Sequence, residues 1–543
     1  MIQRTDNSIN SQEGYIPTIV PEDEAIFKFR VHGTFFPTRA DPNTSRTSYI
    51  EIYSEDYIDN KIYIDYQDGT GWHEYPFRKP STAMRVIRFQ VNTYTNTPEN
   101  IASGGNIGVM PNDGMGGEEY GLHFYQDLVD TSKINTVDHH YPQERDILIK
   151  FENRNFIKTI IISDCTLLGE IPSLAKLRNL KNLQIAYIYN ASSFENAAVR
   201  TLIEIVFLSS LGFSINEIPL WIRNSPIRTL NLSGYILLPT LSDFENGIGI
   251  FKKTLEQLVL NRVGMNYKLP ATFSEFTKLQ RFEMGIENGT NTSNNFQFPD
   301  DLSQLVNFNN FNIQELISFP VTQIKRYIQE VPSSNKILNM RTWGSTSISK
   351  NIILDYDDYS VTEINIAYGR WNNGAPPSFI GQMKNLKSLS IYGSYNYGVS
   401  NGSYNLTDWG DFSGADNLEK INIQWQQKMS MMWPSWFTAL KKLKTFDCHA
   451  SFETLDSMDN FVDSVYNFVI ENASINIGNT QFRQMNIITY SASLPANSWR
   501  PSGTYQAPSG YVQGSNNGSP VNQMEKIYVL INQYAHSWTI KPI

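Results

Sequence analysis

From residue 157 onward one spacing recurs that constrains the fold more than any other feature: apolar, two variable, apolar, one variable, apolar. It starts as Ile157-Lys158-Thr159-Ile160-Ile161-Ile162 and returns at Leu180–Ile185, Ile227–Leu232, Leu255–Leu260, Leu279–Met284 and Phe308–Ile313. Further copies are Asn335–Met340, Val361–Ile366, Leu386–Ile391, Leu418–Ile423, Leu443–Cys448 and Phe482–Ile487. That is about twelve units, mostly 23–32 residues apart. The closing alternation is the period of a short strand with one buried face. No such unit buries its apolar face alone, so the units must stack into one continuous core.

Between the strands lies a second landmark, an apolar residue followed by proline. It occurs at Ile171-Pro172, Ile218-Pro219, Leu269-Pro270, Phe298-Pro299 and Trp433-Pro434, with Pro376-Pro377 as a variant. Proline ends an extended stretch and opens a helical turn, where its missing N–H costs nothing. Apolar residues at helical spacing follow, as in Phe379, Ile380, Met383 and Leu386.

These residues resemble the leucine-rich-repeat family, in the subtype with glycine and Ile-Pro after the strand (Gly169-Glu170-Ile171-Pro172). The resemblance implies an α/β solenoid over residues 156–492. Three residues beyond the third apolar site the family usually has Asn or Cys. Cys165 fits, whereas Ile188, Tyr235, Val263 and Gly369 do not.

Residues 1–24 are polar and read as an N-terminal arm. Residues 25–155 read as a β-sandwich, from the alternating runs Ile26–Val31, Tyr49–Tyr53, Lys61–Asp65 and Ile147–Phe151. Asp65-Tyr66-Gln67-Asp68-Gly69-Thr70 and His139-His140-Tyr141 resemble the turn and His-Thr-Tyr segments of PKD-like sandwiches. Between them the glycine-rich stretch Gly104–Gly117 reads as a loop in a long insertion. Residues 493–543 read as a C-terminal cap and assembly module, with a helix over Val521–Tyr534 and a strand at Trp538–Ile540. The stretch Gly503–Gly514, followed by Ile527–Leu530, is similar to the ends of repeat-bearing structural proteins of Bacteroidetes phages and prophages.

Composition narrows the function. The net charge is −9, without the dense Lys/Arg stripe that nucleic acid requires. No apolar run spans a bilayer, so membrane insertion is not expected. The start, Met1-Ile2-Gln3-Arg4-Thr5-Asp6-Asn7-Ser8, has no signal-peptide core, so synthesis in a cytoplasm is expected. The chain has only two cysteines. Ten strand intervals at about 4.8 Å would set Cys165 and Cys448 roughly 48 Å apart, against the roughly 7 Å that a disulfide tolerates between Cα atoms.

No motif for catalysis or a cofactor emerges. Gly104–Gly117 lacks the Gly-Lys-Ser/Thr ending of a phosphate loop. The seven histidines form no zinc spacing. Asp355, Asp357 and Asp358 lack a closing glutamate and read as a solvated turn. No metal and no cofactor are expected.

The outward positions of the strands are more informative. Between the second and third apolar sites stand Asn231, Asn312, Asn339, Asn365, Asn422, Asp447 and Asn486, a polar file along the expected concave face. Tyr187, Tyr368, Tyr392 and Trp425 lie beside it, with Trp371, Tyr395 and Tyr397 just beyond. Rigid rings beside amides suit recognition of a glycan or a protein, although the amides could equally bond one another. The candidate binding residues are therefore Tyr368, Trp371, Tyr392, Tyr395, Tyr397, Trp425, Asn365 and Asn422.

The expectation is a non-enzymatic, virion-associated protein of a bacteriophage, a tail or fibre component binding a host surface glycan or protein. Other virion proteins would be partners, through the arm and sandwich or the C-terminal module. A bacterial surface adhesin of leucine-rich-repeat type is one alternative, and a polysaccharide-cleaving enzyme carrying repeats is another.

Overall fold

The computed structural model describes residues 26–31, 46–55, 60–65, 72–76, 84–93, 145–163, 166–186, 188–195, 201–209, 211, 218–233, 241–261, 268–285, 296–314, 321–341, 347–348, 360–367, 370–371, 378–392, 411–426, 439–440, 442–452, 455–473, 484–491 and 501–542. The arm, Gly104–Gly117, both PKD-like motifs beyond Asp65, the Asp355–Asp358 cluster and Cys165 lie outside them. The chain divides into two compact units, Met1–Ile227 and Arg228–Ile543.

Unit 1 holds strands β1 (Phe27–Val31), β2 (Arg46–Glu55), β3 (Lys61–Asp65), β4 (Trp72–Pro76), β5 (Met84–Thr93) and β6 (Arg145–Phe151). The repeats add β7 (Ile157–Ser163), β8 (Thr166–Ile171), β9 (Asn182–Ala186), β10 (Tyr189–Phe194) and β11 (Ile205–Ser209). The four runs read as strands in the sequence are thus strands, and they are shared between two sheets. One runs β10-β8-β1-β6-β3-β4, and the other places β5 and β2 beside β7, β9 and β11. β2 is antiparallel to both β5 and β7, whereas β7, β9 and β11 are parallel in register. Phe27, Phe29, Ile52, Ile62 and Ile149 are buried, with the rings of Phe27 and Phe151 edge to face at 5.9 Å. Asn60, also buried, ties the end of β2 to the chain entering the first repeat. Its amide donates to Ser54 Oγ and the Asn153 carbonyl and accepts from the N–H groups of Lys61 and Asn153.

β11 belongs to a further repeat unit between Leu180–Ile185 and Ile227–Leu232. Ile203, Val206 and Leu208 occupy the three apolar sites, and all are fully buried. The extra apolar residue Ile205 blurs the alternation there.

Unit 2 carries β12 (Thr229–Ser233), β13 (Gln257–Asn261), β14 (Arg281–Gly285), β15 (Asn310–Gln314), β16 (Lys336–Arg341), β17 (Ser347–Ile348), β18 (Val361–Ala367) and β19 (Arg370–Trp371). There follow β20 (Ser388–Tyr392), β21 (Lys420–Gln426), β22 (Thr445–Phe452), β23 (Gln484–Ser491), β24 (Ser509–Val512), β25 (Asn516–Ser519) and β26 (Ser537–Pro542). All but β17, β19, β24 and β25 join one sheet, each strand parallel to the next. A parallel sheet that grows by one strand per repeat is a solenoid-like repeat fold, consistent with a leucine-rich-repeat solenoid.

The second and third apolar sites point inward, and Leu230, Leu258, Phe282, Phe311, Leu338, Ile364, Leu389 and Ile421 are all 0% exposed. Where the repeats carry phenylalanine the core becomes an aromatic cluster. Phe282 lies 5.3 Å from Phe273 and 5.8 Å, stacked with nearly parallel planes, from Phe311, with Phe298 5.4 Å from Phe311.

The proline landmark behaves as its chemistry requires. Pro270 and Pro219, at φ −67 and −60, precede the 3-10 turn Ala271–Glu275 and the short helix α1 (Leu220–Arg223). The residues ahead of Pro172 and Pro270 pair in parallel with the repeat that follows. β8 pairs with β10 in unit 1, and Lys268 bridges Gln297 in unit 2, where the Leu269 N–H donates to the Gln297 carbonyl.

One repeat departs from the expected phase. Asn335 was expected at the first apolar site, but it takes the left-handed conformation at φ 56. The register consequently shifts, and Lys336 pairs opposite Val361. Its aliphatic stem fills the apolar site, leaving it 2% exposed. The ammonium donates to the Ile328 carbonyl at 2.8 Å, near the C-terminal end of helix α2 (Val321–Glu330).

The end of the chain is built from α3 (Leu455–Ala473), the hairpin β24–β25, α4 (Gln523–Tyr534) and β26. The helix and strand expected from the sequence are both present. β26 adds to the sheet alongside β23, while α4 packs on α3 through Met524, Ile527 and Val462. Asn522 caps α4 by accepting from the Glu525 N–H at 2.9 Å, and Glu525 reaches back to the Val521 N–H. Gly503 sits at φ +101 against that cap, and an added Cβ would collide with Asn522 Oδ1. Gly503→Ala should therefore cost about 2 kcal/mol or more by combining left-handed strain with a disturbed cap. Faster amide exchange of α4 and the hairpin would report it; unchanged protection would refute it.

Candidate functional site

The register of unit 2 brings the seven expected polar residues into one file. Asn231, Val259, Glu283, Asn312, Asn339, Asn365, Ser390, Asn422, Asp447 and Asn486 stand opposite one another on consecutive strands. Because they alternate with the buried apolar sites, the file lies on the sheet face turned away from the core.

Four consecutive members of the file satisfy one another. Asn312 donates to Glu283 at 3.0 Å, Asn339 donates to Asn312, and Asn365 donates to Asn339 at 2.7 Å. The Glu283 carboxylate also accepts from Asn261 at 2.6 Å and from Arg281. Glu283 is 4% exposed, so these donors stand in for water around its charge. On either side of the file, Asn261 Oδ1 and Arg281 Nε find no partner.

Further along the file the pattern changes. Asn422 donates to the Tyr392 hydroxyl at 3.3 Å, so the phenol ring lies across the face from β20 toward β21. The Asn422 Oδ1 is buried and unpartnered, the one such atom among the described residues of the file. A buried amide oxygen with no donor has lost hydration without replacement.

Of the sequence-derived candidates, Asn365, Tyr392 and Asn422 are therefore gathered on one face across β18, β20 and β21. Trp371 and Trp425 belong to β19 and β21 by their backbones. Tyr368, Tyr395 and Tyr397, like Tyr187, lie outside the described residues. Glu283 and Arg281 had not been singled out. The repeat phase could have found them, since Glu283 occupies the file position of its unit.

Charge decorates the rim beside the first apolar site. Arg228 makes a two-pronged pair with Glu256, both bonds at 2.9 Å, and Lys444 pairs with Glu419 at 2.6 Å. The Lys444 ammonium holds the Glu419 carboxyl below its usual range. Such exposed pairs contribute little to stability. Among the described residues no group of three His, Cys, Asp or Glu is placed to hold a metal ion, and no helix is long and apolar enough to cross a membrane.

No protein-family model and no curated protein matches the chain. Among solved structures it is similar to the Arabidopsis receptor kinase HAESA in complex with the peptide hormone IDA and the co-receptor SERK1, at 16% identity and a TM-score of 0.25. That likeness covers 63% of this chain and 60% of the other. The solenoid-like repeat fold rests instead on this chain's own strand register and repeat spacing.

Proposed function

We propose that this chain is a non-enzymatic recognition protein whose binding face is the outward face of the unit 2 sheet around β18–β21. The observation that carries this reading is the change along the polar file: its amides bond one another from Glu283 to Asn365, whereas Asn422 bonds the Tyr392 hydroxyl and leaves its own oxygen unpaired. An aromatic edge beside an unmade acceptor is a surface for hydroxyl- or amide-rich ligands, a host surface glycan or protein. Tyr368, Trp371, Tyr395, Tyr397 and Trp425 would complete it. We read the setting as a bacteriophage virion, the chain being a tail or fibre component, on the likeness of its C-terminal end. The two sheets of unit 1 would be the faces of a PKD-like sandwich serving attachment to other virion proteins.

The test is binding of the fluorescently labelled full chain to a panel of intact Bacteroidetes cells. Strain-selective binding that falls at least tenfold in Tyr392→Ala, with unchanged melting, is the expected result. Binding that survives both Tyr392→Ala and Asn422→Ala would remove this face from consideration, and turnover of a capsule polysaccharide would overturn the non-enzymatic reading.

A further inference from the structure

The outward face around Asn422 is not level. β18, β20 and β21 pair in parallel without slippage, which sets Glu363, Ser388 and Lys420 in one row and Asn365, Ser390 and Asn422 in the next. Both rows alternate with the fully buried Ile364, Leu389, Ile421, Ile366, Ile391 and Ile423, so they share the face turned away from the core. The middle strand contributes only the two serines, and the longer side chains stand on the strands to either side. The result is a trough one strand wide, about 10 Å between the flanking backbones at roughly 4.8 Å per strand. Its floor is recessed, Ser390 being 5% exposed. Tyr392 follows on β20 and closes one end, its hydroxyl accepting from Asn422 Nδ2 at 3.3 Å.

The walls are unequal in their hydrogen bonding. Asn365 donates to Glu363 at 2.6 Å and to Asn339 at 2.7 Å, so what the β18 wall has left to present is oxygen. On the β21 wall Asn422 is 7% exposed and its Oδ1 is buried without a donor. The amide is planar, so with Nδ2 turned to Tyr392 that oxygen faces away from the closed end. The open end is flanked by a carboxylate and an ammonium of opposite sign, Glu363 and the exposed Lys420.

We infer that this trough seats one neutral sugar residue of a glycan, a step that rests on the function proposed above and names the ligand of that face. Each sugar hydroxyl both donates and accepts. The wall oxygens take its hydrogens, while Lys420 and the serine hydroxyls donate to its lone pairs. The Tyr392 ring supplies apolar surface for the C–H face of the sugar. The opposite charges at the open end offset one another, so the seat selects for no net charge. A protein partner would instead need an apolar anchor pocket at the centre of the face, and the centre here is Ser390 between two asparagines.

Ser390→Asn tests the seat in the full chain. Asparagine already fills the same file position at Asn339, Asn365 and Asn422, so the variant fits the fold while it fills the trough. Melting should be unchanged, and strain-selective binding to the cell panel should fall at least tenfold. Mild periodate, which cleaves the vicinal diols of sugars, should abolish binding to the cells, and protease treatment should spare it. Polysaccharide extracted from a bound strain should compete. Binding that protease removes and periodate spares, yet that Tyr392→Ala still abolishes, would overturn the sugar seat and leave the binding face standing. Full binding by Ser390→Asn would do the same. Binding indifferent to both Tyr392→Ala and Asn422→Ala, or absent from every strain, would overturn the seat and the face together.

Discussion

Replacing Phe282 by alanine is expected to lower the stability of unit 2 by about 3–5 kcal/mol. The ring is fully buried and lies within 6.3 Å of five others, those of Phe273, Phe296, Phe298, Phe308 and Phe311. These come from three consecutive repeats and the turns between them, so the cavity would open where the stacked units meet. Their collapse onto it is limited because each neighbour is itself locked by further rings, as Phe308 and Phe311 are by Tyr327 at 4.9 and 5.1 Å. The loss would appear as a lower urea midpoint for the unit 2 transition, with Val306→Ala as an exposed control. A loss below about 1 kcal/mol would show that the cluster is loosely packed.

The second large effect has the opposite sign. Lys336 is buried with its ammonium on the Ile328 carbonyl, and burial lowers its pKa from 10.5 to about 8. The unfolded chain therefore binds this proton more tightly than the folded one. Between pH 8 and about 10.5 the unfolded state carries more protons, so stability rises with pH through that window. Below pH 8 the full cost of burying the charge is present, about 3 kcal/mol from the 2.5-unit difference. Lys336→Met keeps the stem and deletes the charge. It should raise the melting temperature at pH 7 and abolish the rise between pH 8 and 9.5. The scan stops there because the buried Tyr327 phenol, pushed well above its usual value, makes the folded state lose ground once unfolded tyrosines ionise. Equal pH dependence in both proteins would show that the ammonium is solvated in the native state.

Both effects arise where a repeat is filled by something other than a branched aliphatic residue. The aromatic substitution was visible as Phe308 and Phe311 at apolar sites of their unit. That of Lys336 was not. The spacing placed Asn335 at the inward site, and only the left-handed turn at Asn335 hands that position to the lysine. Likewise the unit at Ile203–Leu208 obeys the spacing, but Ile205 and Phe207 add apolar residues at outward positions and hide the period.

For the binding face, the amide file could be predicted because side chains alternate along a strand. Parallel pairing without slippage then puts equivalent residues opposite one another. Whether those amides bond to each other or stay open depended on neighbours one repeat away. Glu283 closes one stretch of the file, while Tyr392 leaves the Asn422 oxygen without a donor.

By itself the sequence determined the repeat architecture, most of the repeat strands, the proline-opened turns and the helix and strand that close the chain. Each follows from a periodicity or a backbone restriction local to a few residues. Tertiary structure alone decided how the strands of unit 1 divide between two sheets and which polar atoms go unsatisfied. It also decided that the charges of Glu525 and Lys526 are engaged within the fold. Those outcomes depend on contacts between segments far apart in sequence, where no local spacing carries the information.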